Sequence, residues 1–347
     1  MAAALRRFAP YILIAPGLVW LALFFVLPNI QMLLMSLSTR AGGTGLRKEY
    51  EFSWAFQNYA NVLTSFPQQF GNSLIYGGLA TLLCFMIGYP LAYGIAFRGG
   101  RFKTVLLFLV IAPFFTSFLI RTISWKILLG NDGPALAILR DTLGVVPRNF
   151  NILSTPLAVV SGLTYQALPF MVLPLYVALD KVDFRLVEAA RDLYAGPWRR
   201  GGALIGGIGG CLFVAALLMG LGYVEGSIDG IAGALVPIVV GGAIGAIVLG
   251  LLVSEAFVRV IFPLSLSGVF AGSILTFIPT IGDYVNVELL GNTKTQMIGN
   301  VIQNRYLAQN DYPTAAALSF LLMAGILIAI LVYARALGTE ELSGGRA

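Results

Sequence analysis

The chain has 347 residues, of which 58% are hydrophobic and only 11% charged, with a mean hydropathy of +0.86. That balance excludes an ordinary water-soluble domain, in which about a quarter of residues are charged. The net charge of +6 is read as a consequence of membrane topology and not as a nucleic-acid footprint.

A bilayer core of about 30 Å needs roughly 20 apolar residues per helix, and eight charge-free stretches meet that need. The first, Phe8 to Thr39, follows Arg6 and Arg7 like the start of a secretion signal, but it is too long for one and is read as a retained span. Pro16 and Pro28 are expected to kink it. Next come Phe52 to Phe97, with its span at Asn72 to Phe97, then Thr104 to Ile120 and Asn149 to Leu179. Gly201 to Val224, Gly230 to Ser254, Val260 to Gly282 and Tyr312 to Ala334 complete the set. The runs are continuous, not alternating, which favours helices over a barrel; a helix satisfies its own backbone groups in lipid. Cys84 and Cys211 both fall inside apolar runs and read as small core residues, not as a disulfide or metal pair.

Placing the N-terminus in the cytoplasm puts thirteen basic residues inside, among them Arg98, Arg101, Lys103, Lys181, Arg199, Arg200 and Arg335. Seven fall outside: Arg40, Arg47, Lys48, Arg140, Arg148, Lys294 and Arg305. The bias predicts that both termini are cytoplasmic. Between the fourth and fifth runs, Asp183 to Leu193 lacks glycine and proline and carries an apolar stripe of Leu186, Val187, Ala190 and Leu193. This spacing predicts a short amphipathic helix on the cytoplasmic side. By charge alone it reads as a solvated interfacial helix.

The run Glu188-Ala189-Ala190-Arg191-Asp192-Leu193, leading to Gly196-Pro197-Trp198, resembles the start of the loop by which permease subunits of ATP-binding-cassette importers engage their ATPase. The family pattern is E-A-A, three residues, G, nine residues, I-x-L-P. Here Tyr194 stands at the glycine position, Gly196 lies two residues later, and the tail Val260-Ile261-Phe262-Pro263 arrives 56 residues late. Other segments resemble the spermidine/putrescine branch, within it the first of the two permease subunits. They are Ala112 to Thr122 with Trp125, Leu168 to Tyr176, Phe277-Ile278-Pro279 with Gly282-Asp283-Tyr284, Glu288 to Gly291, and Met297 to Asn304.

The resemblance implies an all-α integral membrane protein with the six-helix core of a type I importer permease and an inserted transmembrane hairpin, about eight spans in all. Residues 1–200 would hold spans one to four and the first half of the coupling loop. Residues 201–256 would form the hairpin, and 257–347 the second half of the loop and the last two spans. A pair of inserted spans preserves the topology of everything after it. Gly202, Gly206 and Gly210, like Gly241 and Gly245, repeat at four-residue spacing, so small residues share one helix face. The hairpin is either a docking element or a lipid-facing addition.

For the coupling loop the resemblance implies a helix seated in a groove of the ATPase, with Glu188, Ala189, Ala190, Arg191, Asp192, Gly196 and Pro263 as the contact set. Ala189 and Ala190 would allow close approach, and Glu188 and Arg191 would orient the helix. It further implies an ABC ATPase dimer holding ATP and magnesium, a second permease, an extracytoplasmic substrate-binding protein and the inner membrane as setting. With no histidine and no G-x-x-x-x-G-K-[ST] run, the chain itself is read as no enzyme and as carrying no cofactor or metal.

Polar groups in or near spans are costly and often functional, which singles out Arg121, Lys126, Asp283 and Glu288. Asp283 and Glu288 suit a polycation, and Trp125, Tyr165 and Tyr284 offer aromatic faces to amines. The plainer alternative pairs Arg121 with an acid and puts the aromatics in an interfacial belt. Other readings are transport of a thiamine-like cation, ferric ion or oxyanion, or a degenerate permease acting as a membrane scaffold.

Overall fold

The computed structural model describes residues 14–42, 49–137, 151–183, 185, 189 and 257–336. Chain contacts divide it into two units: Met1–Gln68 with Val301–Ile328, and Gln69–Asn300 with Ala329–Ala347. Both are dominated by helices formed from the apolar runs.

In the first unit, helix α1 (Ile14–Ser36) is long and apolar enough to cross a membrane. A π-helical turn, Ala22–Val26, lies just before Pro28, and Ile14–Ser36 runs through it as one helix. A wider turn accommodates the N–H that proline lacks and the clash of its ring with the preceding turn. After α1 the chain makes an antiparallel hairpin, β1 (Ser38–Gly42) with β2 (Glu49–Phe52), pairing Ser38 with Phe52 and Arg40 with Tyr50. This hairpin was not anticipated, because four or five residues of Thr, Tyr and Phe make a weak strand signal beside a long apolar run.

The end of α1 is capped from a distance. The Ser53 and Ala55 amides donate to the Leu37 carbonyl at 3.3 and 2.8 Å, and the Asn58 side chain donates to the Ser36 and Ser38 carbonyls. These bonds satisfy acceptors that a helix end otherwise leaves open. Helix α2 (Gln57–Ser65) follows.

In the second unit, α3 (Pro67–Arg98), α7 (Pro156–Asp180) and α8 (Phe262–Ile281) carry the core. Between them lie α4 (Lys103–Ile111), α5 (Phe118–Leu129) and the short α6 (Pro134–Ala137). Cys84, Met171, Val172, Leu175 and Leu179 are fully buried in one cluster. Cys84 is a free core thiol whose Sγ lies 3.3 Å from the Thr164 carbonyl. The chain re-enters this core at Phe257, which packs against Tyr89, Tyr93 and Phe262. The Tyr89 and Ser265 hydroxyls share a 2.6 Å hydrogen bond. Gly268 and Gly272 let α8 seat on α7. A Cβ at Gly268 would stand 2.5 Å from the Ala178 Cβ, and one at Gly272 would stand 2.9 Å from the Met171 sulfur.

The third apolar run is not one straight span. Gly100–Phe115 and Phe118–Leu129 meet at 94°. Pro113 sits in a 3-10 turn, and Thr116 and Ser117 adopt extended backbone (ψ 149 and 135), so the helical hydrogen-bond ladder breaks there. Five described helices can cross a membrane, and this broken pair makes six. The chain closes with α9 (Val285–Leu290), α10 (Ile298–Gln303) and α11 (Tyr312–Ala336). The hairpin expected at 201–256 lies outside the described residues.

Candidate functional site

Helix α7 begins at Thr155, whose side chain accepts from the Ala158 amide at 3.3 Å, with Pro156 in the first turn. This start fixes where Gly162, Tyr165 and Gln166 fall. Helix α9 is tied to the same point: the Ser154 amide donates to the Leu290 carbonyl at 2.8 Å, and Asn292 Nδ2 donates to the Ser154 carbonyl at 2.5 Å. From the other side, Asn72 on α3 donates to the Lys294 and Gln296 carbonyls, and the Ile298 amide donates to Ser73 Oγ at 2.8 Å. The segment between α8 and α10 is thus held against the first turns of α3 and α7.

Gly162 is where α5, α7 and α9 converge. A Cβ there would meet Leu290 Cδ1 at 2.4 Å, Asn286 Oδ1 at 3.3 Å and Trp125 Cδ1 at 3.5 Å. Trp125 stacks on Tyr165 with ring centroids 5.1 Å apart and planes 3° from parallel. One helical position on, Gln166 Nε2 donates to Thr122 Oγ1 at 3.0 Å, and the Thr122 hydroxyl donates to the Phe118 carbonyl. Asp283 caps α9, accepting from the Asn286 amide at 3.1 Å and from Asn286 Nδ2 at 2.5 Å. Burial pushes its carboxyl upward from its ordinary value, against the lowering effect of hydrogen bonds from Asn286 and from the Val285 backbone.

Among the described residues, the buried polar atoms without a hydrogen-bond partner are Trp125 Nε1, Gln166 Oε1 and Asn286 Oδ1 in this layer, together with Arg121 Nε and Nη1 and Thr276 Oγ1. Leaving such an atom unmet costs about 1–3 kcal/mol. Several of them gathered beside a stacked aromatic pair make a lining suited to water or to a ligand rich in hydrogen-bonding groups.

The structure therefore brings Trp125, Tyr165 and, through Asn286, Asp283 into one neighbourhood. Tyr284 and Glu288 are joined instead through Asn300, whose Nδ2 reaches the Tyr284 carbonyl at 3.0 Å and Glu288 Oε2 at 3.3 Å; both are exposed. The alternative pairing of Arg121 with an acid is not found among the described residues. Its guanidinium lies over the Phe114 and Phe118 rings at 5.2 and 6.0 Å. Lys126 is exposed on α5. Gln166, Asn286, Thr122 and Gly162 were not anticipated. Gln166 and Asn286 are neutral amides among apolar neighbours, a weaker sequence signal than a charge in a span.

Of the coupling set, Pro263 stands in the first turn of α8, and Ala189 is an exposed helical residue. Glu188, Ala190, Arg191, Asp192 and Gly196 lie outside the described residues. A groove of about 700 Å³ between the end of α7 and the start of α8 opens beside Pro263, lined by Lys181, Asp183, Leu264 and Ser267 among others. No group of three or more metal-ligating side chains occurs among the described residues.

The broken third span, the α7–α8 pair and the polar layer beneath α9 define a multi-pass helical membrane protein. Its fold matches a chain of a bacterial ABC transporter involved in the import of the acidic polysaccharide alginate, with a TM-score of 0.60 over 96% of this chain and 97% of that one. At 15% identity the likeness is of fold alone. No family model matches the chain. Among curated relatives, the spermidine/putrescine transport system permease protein PotB of Haemophilus influenzae is 33% identical over 318 residues, covering 91% of this chain and 90% of its own. PotB of Escherichia coli is 32% identical over 320 residues, covering 91% and 94%. The chain belongs to this family of ABC transporter permeases.

Proposed function

We propose that this chain is the membrane permease subunit of an ATP-driven importer of polyamines. The observation that carries the reading is the identity of about one third to the PotB permeases over nine-tenths of the chain. The lining around Trp125, Tyr165 and Asp283 is chemically consistent with it. Protonated amines are attracted to aromatic faces and to a carboxylate, and donate to the unmet carbonyl oxygens of Gln166 and Asn286.

In this mechanism the chain hydrolyses nothing. A soluble binding protein delivers substrate from outside, and a second permease completes the pore. ATP and magnesium are bound by a separate ATPase dimer, whose closure moves the coupling helix carrying Glu188, Ala189, Ala190, Arg191 and Asp192. Gly196 forms the turn after that helix, and Pro263 begins the span that receives the motion. The spans then open first outward and then inward, with both termini in the cytoplasm. Residues 1–200, 201–256 and 257–347 take the parts of core, inserted hairpin and core.

Substrate-stimulated ATP hydrolysis by the assembled complex in nanodiscs tests the reading. Loaded binding protein carrying spermidine or putrescine should raise hydrolysis well above the unloaded form. Equal hydrolysis with and without the amines, or stimulation by thiamine, ferric ion or an oxyanion instead, would overturn it. Failure of the chain to recruit any ATPase would point to a degenerate scaffold.

A further inference from the structure

Three aromatic side chains stand exposed in a row just beyond the end of α1. Phe52, Trp54 and Phe56 are 45%, 65% and 64% exposed. Their rings form a ladder, with Phe52 and Trp54 centroids 4.9 Å apart and Trp54 and Phe56 6.1 Å apart. The backbone is shaped to present them: Trp54 adopts a φ of 51°, a left-handed conformation that a bulky residue rarely takes.

The depth of the ladder is fixed by hydrogen bonds. The amides on either side of Trp54, those of Ser53 and Ala55, both donate to the carbonyl of Leu37, one residue past α1. Asn58 clamps the same helix end through the Ser36 and Ser38 carbonyls. At 1.5 Å per residue, the 23 described residues of α1 span about 35 Å, enough to cross a hydrocarbon core of about 30 Å, and the apolar run gives way to a hairpin carrying Arg40, Glu49 and Glu51, which places the C-terminal end of α1 at an interface. The ladder therefore sits at headgroup depth. Helix α2, which follows, has no charged residue, buries Val62 and leaves Leu63 exposed.

We infer that Phe52, Trp54 and Phe56 form an interfacial anchor that seats in the lipid headgroups of the leaflet at the C-terminal end of α1. Tryptophan and its aromatic neighbours favour this zone because each presents an apolar ring body to the acyl boundary, and the indole N–H can donate to the headgroup region. The ladder fixes how deep α1 sits, and with it the height of the β-hairpin above the bilayer.

The test is fluorescence quenching of the assembled transporter in nanodiscs whose phosphatidylcholine carries bromine either near the glycerol backbone or near the chain terminus. The wild-type minus Trp54→Phe difference isolates the Trp54 signal. That signal should lose at least about twofold more intensity to the shallow bromine than to the deep one. A Phe56→Trp variant with Trp54 intact should add intensity with the same preference, which keeps the test valid if Trp54→Phe fails to assemble. A difference signal that neither lipid quenches would overturn the anchor. So would a signal quenched by aqueous iodide and shielded only when soluble binding protein is added; that result would make the ladder a protein-docking surface.

Discussion

Gly268→Ala is the sharpest perturbation of the fold. The new methyl carbon would stand 2.5 Å from the Ala178 Cβ, 2.8 Å from the Pro174 carbonyl oxygen and 3.2 Å from the Leu175 Cα. Apolar carbons rest about 3.5–4.0 Å apart, so α8 must retreat from α7 by about 1 Å. Two of the three obstacles are backbone atoms, which no side-chain rotation can clear. A gap of that size forfeits roughly a third of each facing atom-pair attraction, itself about 0.15 kcal/mol. Over a contact patch comparable to one buried leucine, roughly fifty pairs, the loss is about 2–3 kcal/mol, within the usual cost of overpacking. Gly272, one turn along, where a Cβ would stand 2.9 Å from the Met171 sulfur, would be lifted off its seat by the same movement. Unfolding in mixed detergent micelles by increasing dodecyl sulfate measures the effect. The control is Gly94→Ala, since nothing lies within 4 Å of a Cβ there. An equal midpoint for Gly268→Ala and wild type, or an equal loss for Gly94→Ala, would refute the reasoning.

Three further outcomes follow from the candidate site and the proposed coupling helix. Tyr165→Ala removes the ring stacked on Trp125; with cation–π contacts worth about 0.5–2 kcal/mol, half-maximal spermidine uptake should need about 2- to 30-fold more substrate, while Tyr165→Phe stays near wild type. Because burial raises the Asp283 carboxyl, that group is ionised only above its raised value, and uptake should fall as pH drops through that value. Asp283→Asn should lower uptake at neutral pH and abolish this acid limb, and an unchanged pH profile would remove Asp283 from the path. Ala190→Leu should leave the chain at wild-type abundance in the membrane yet abolish substrate-stimulated hydrolysis by the partner ATPase; retained stimulation would count against the coupling assignment.

The spans were legible because lipid demands long apolar runs, and α1, α3, α7, α8 and α11 all coincide with such runs. The 94° break in the third run was not, since apolar composition does not record backbone direction and Pro113 alone signals only a weakness in the helix. The anchoring of the segment before α10 was equally hidden. It depends on Asn72 and Ser73 meeting backbone more than two hundred positions away, and short polar residues carry no long-range pattern. Trp125, Tyr165 and Asp283 were recognisable as residue types that suit amines. Their convergence required Gly162, whose missing side chain admits Trp125, Asn286 and Leu290. The Gly268 and Gly272 pair shares its four-residue spacing with Gly202, Gly206 and Gly210 and with Gly241 and Gly245, so spacing alone does not say which glycines seat one helix on another.

Uptake of labelled spermidine into proteoliposomes is the most direct test. They would contain this chain, its ATPase, its second permease and its binding protein, with ATP sealed inside. The expected result is ATP-dependent accumulation that unlabelled putrescine and spermidine suppress and that thiamine, ferric ion and oxyanions do not. Accumulation of another solute in place of the amines, or none that depends on ATP, would contradict the assignment of this chain as a polyamine permease.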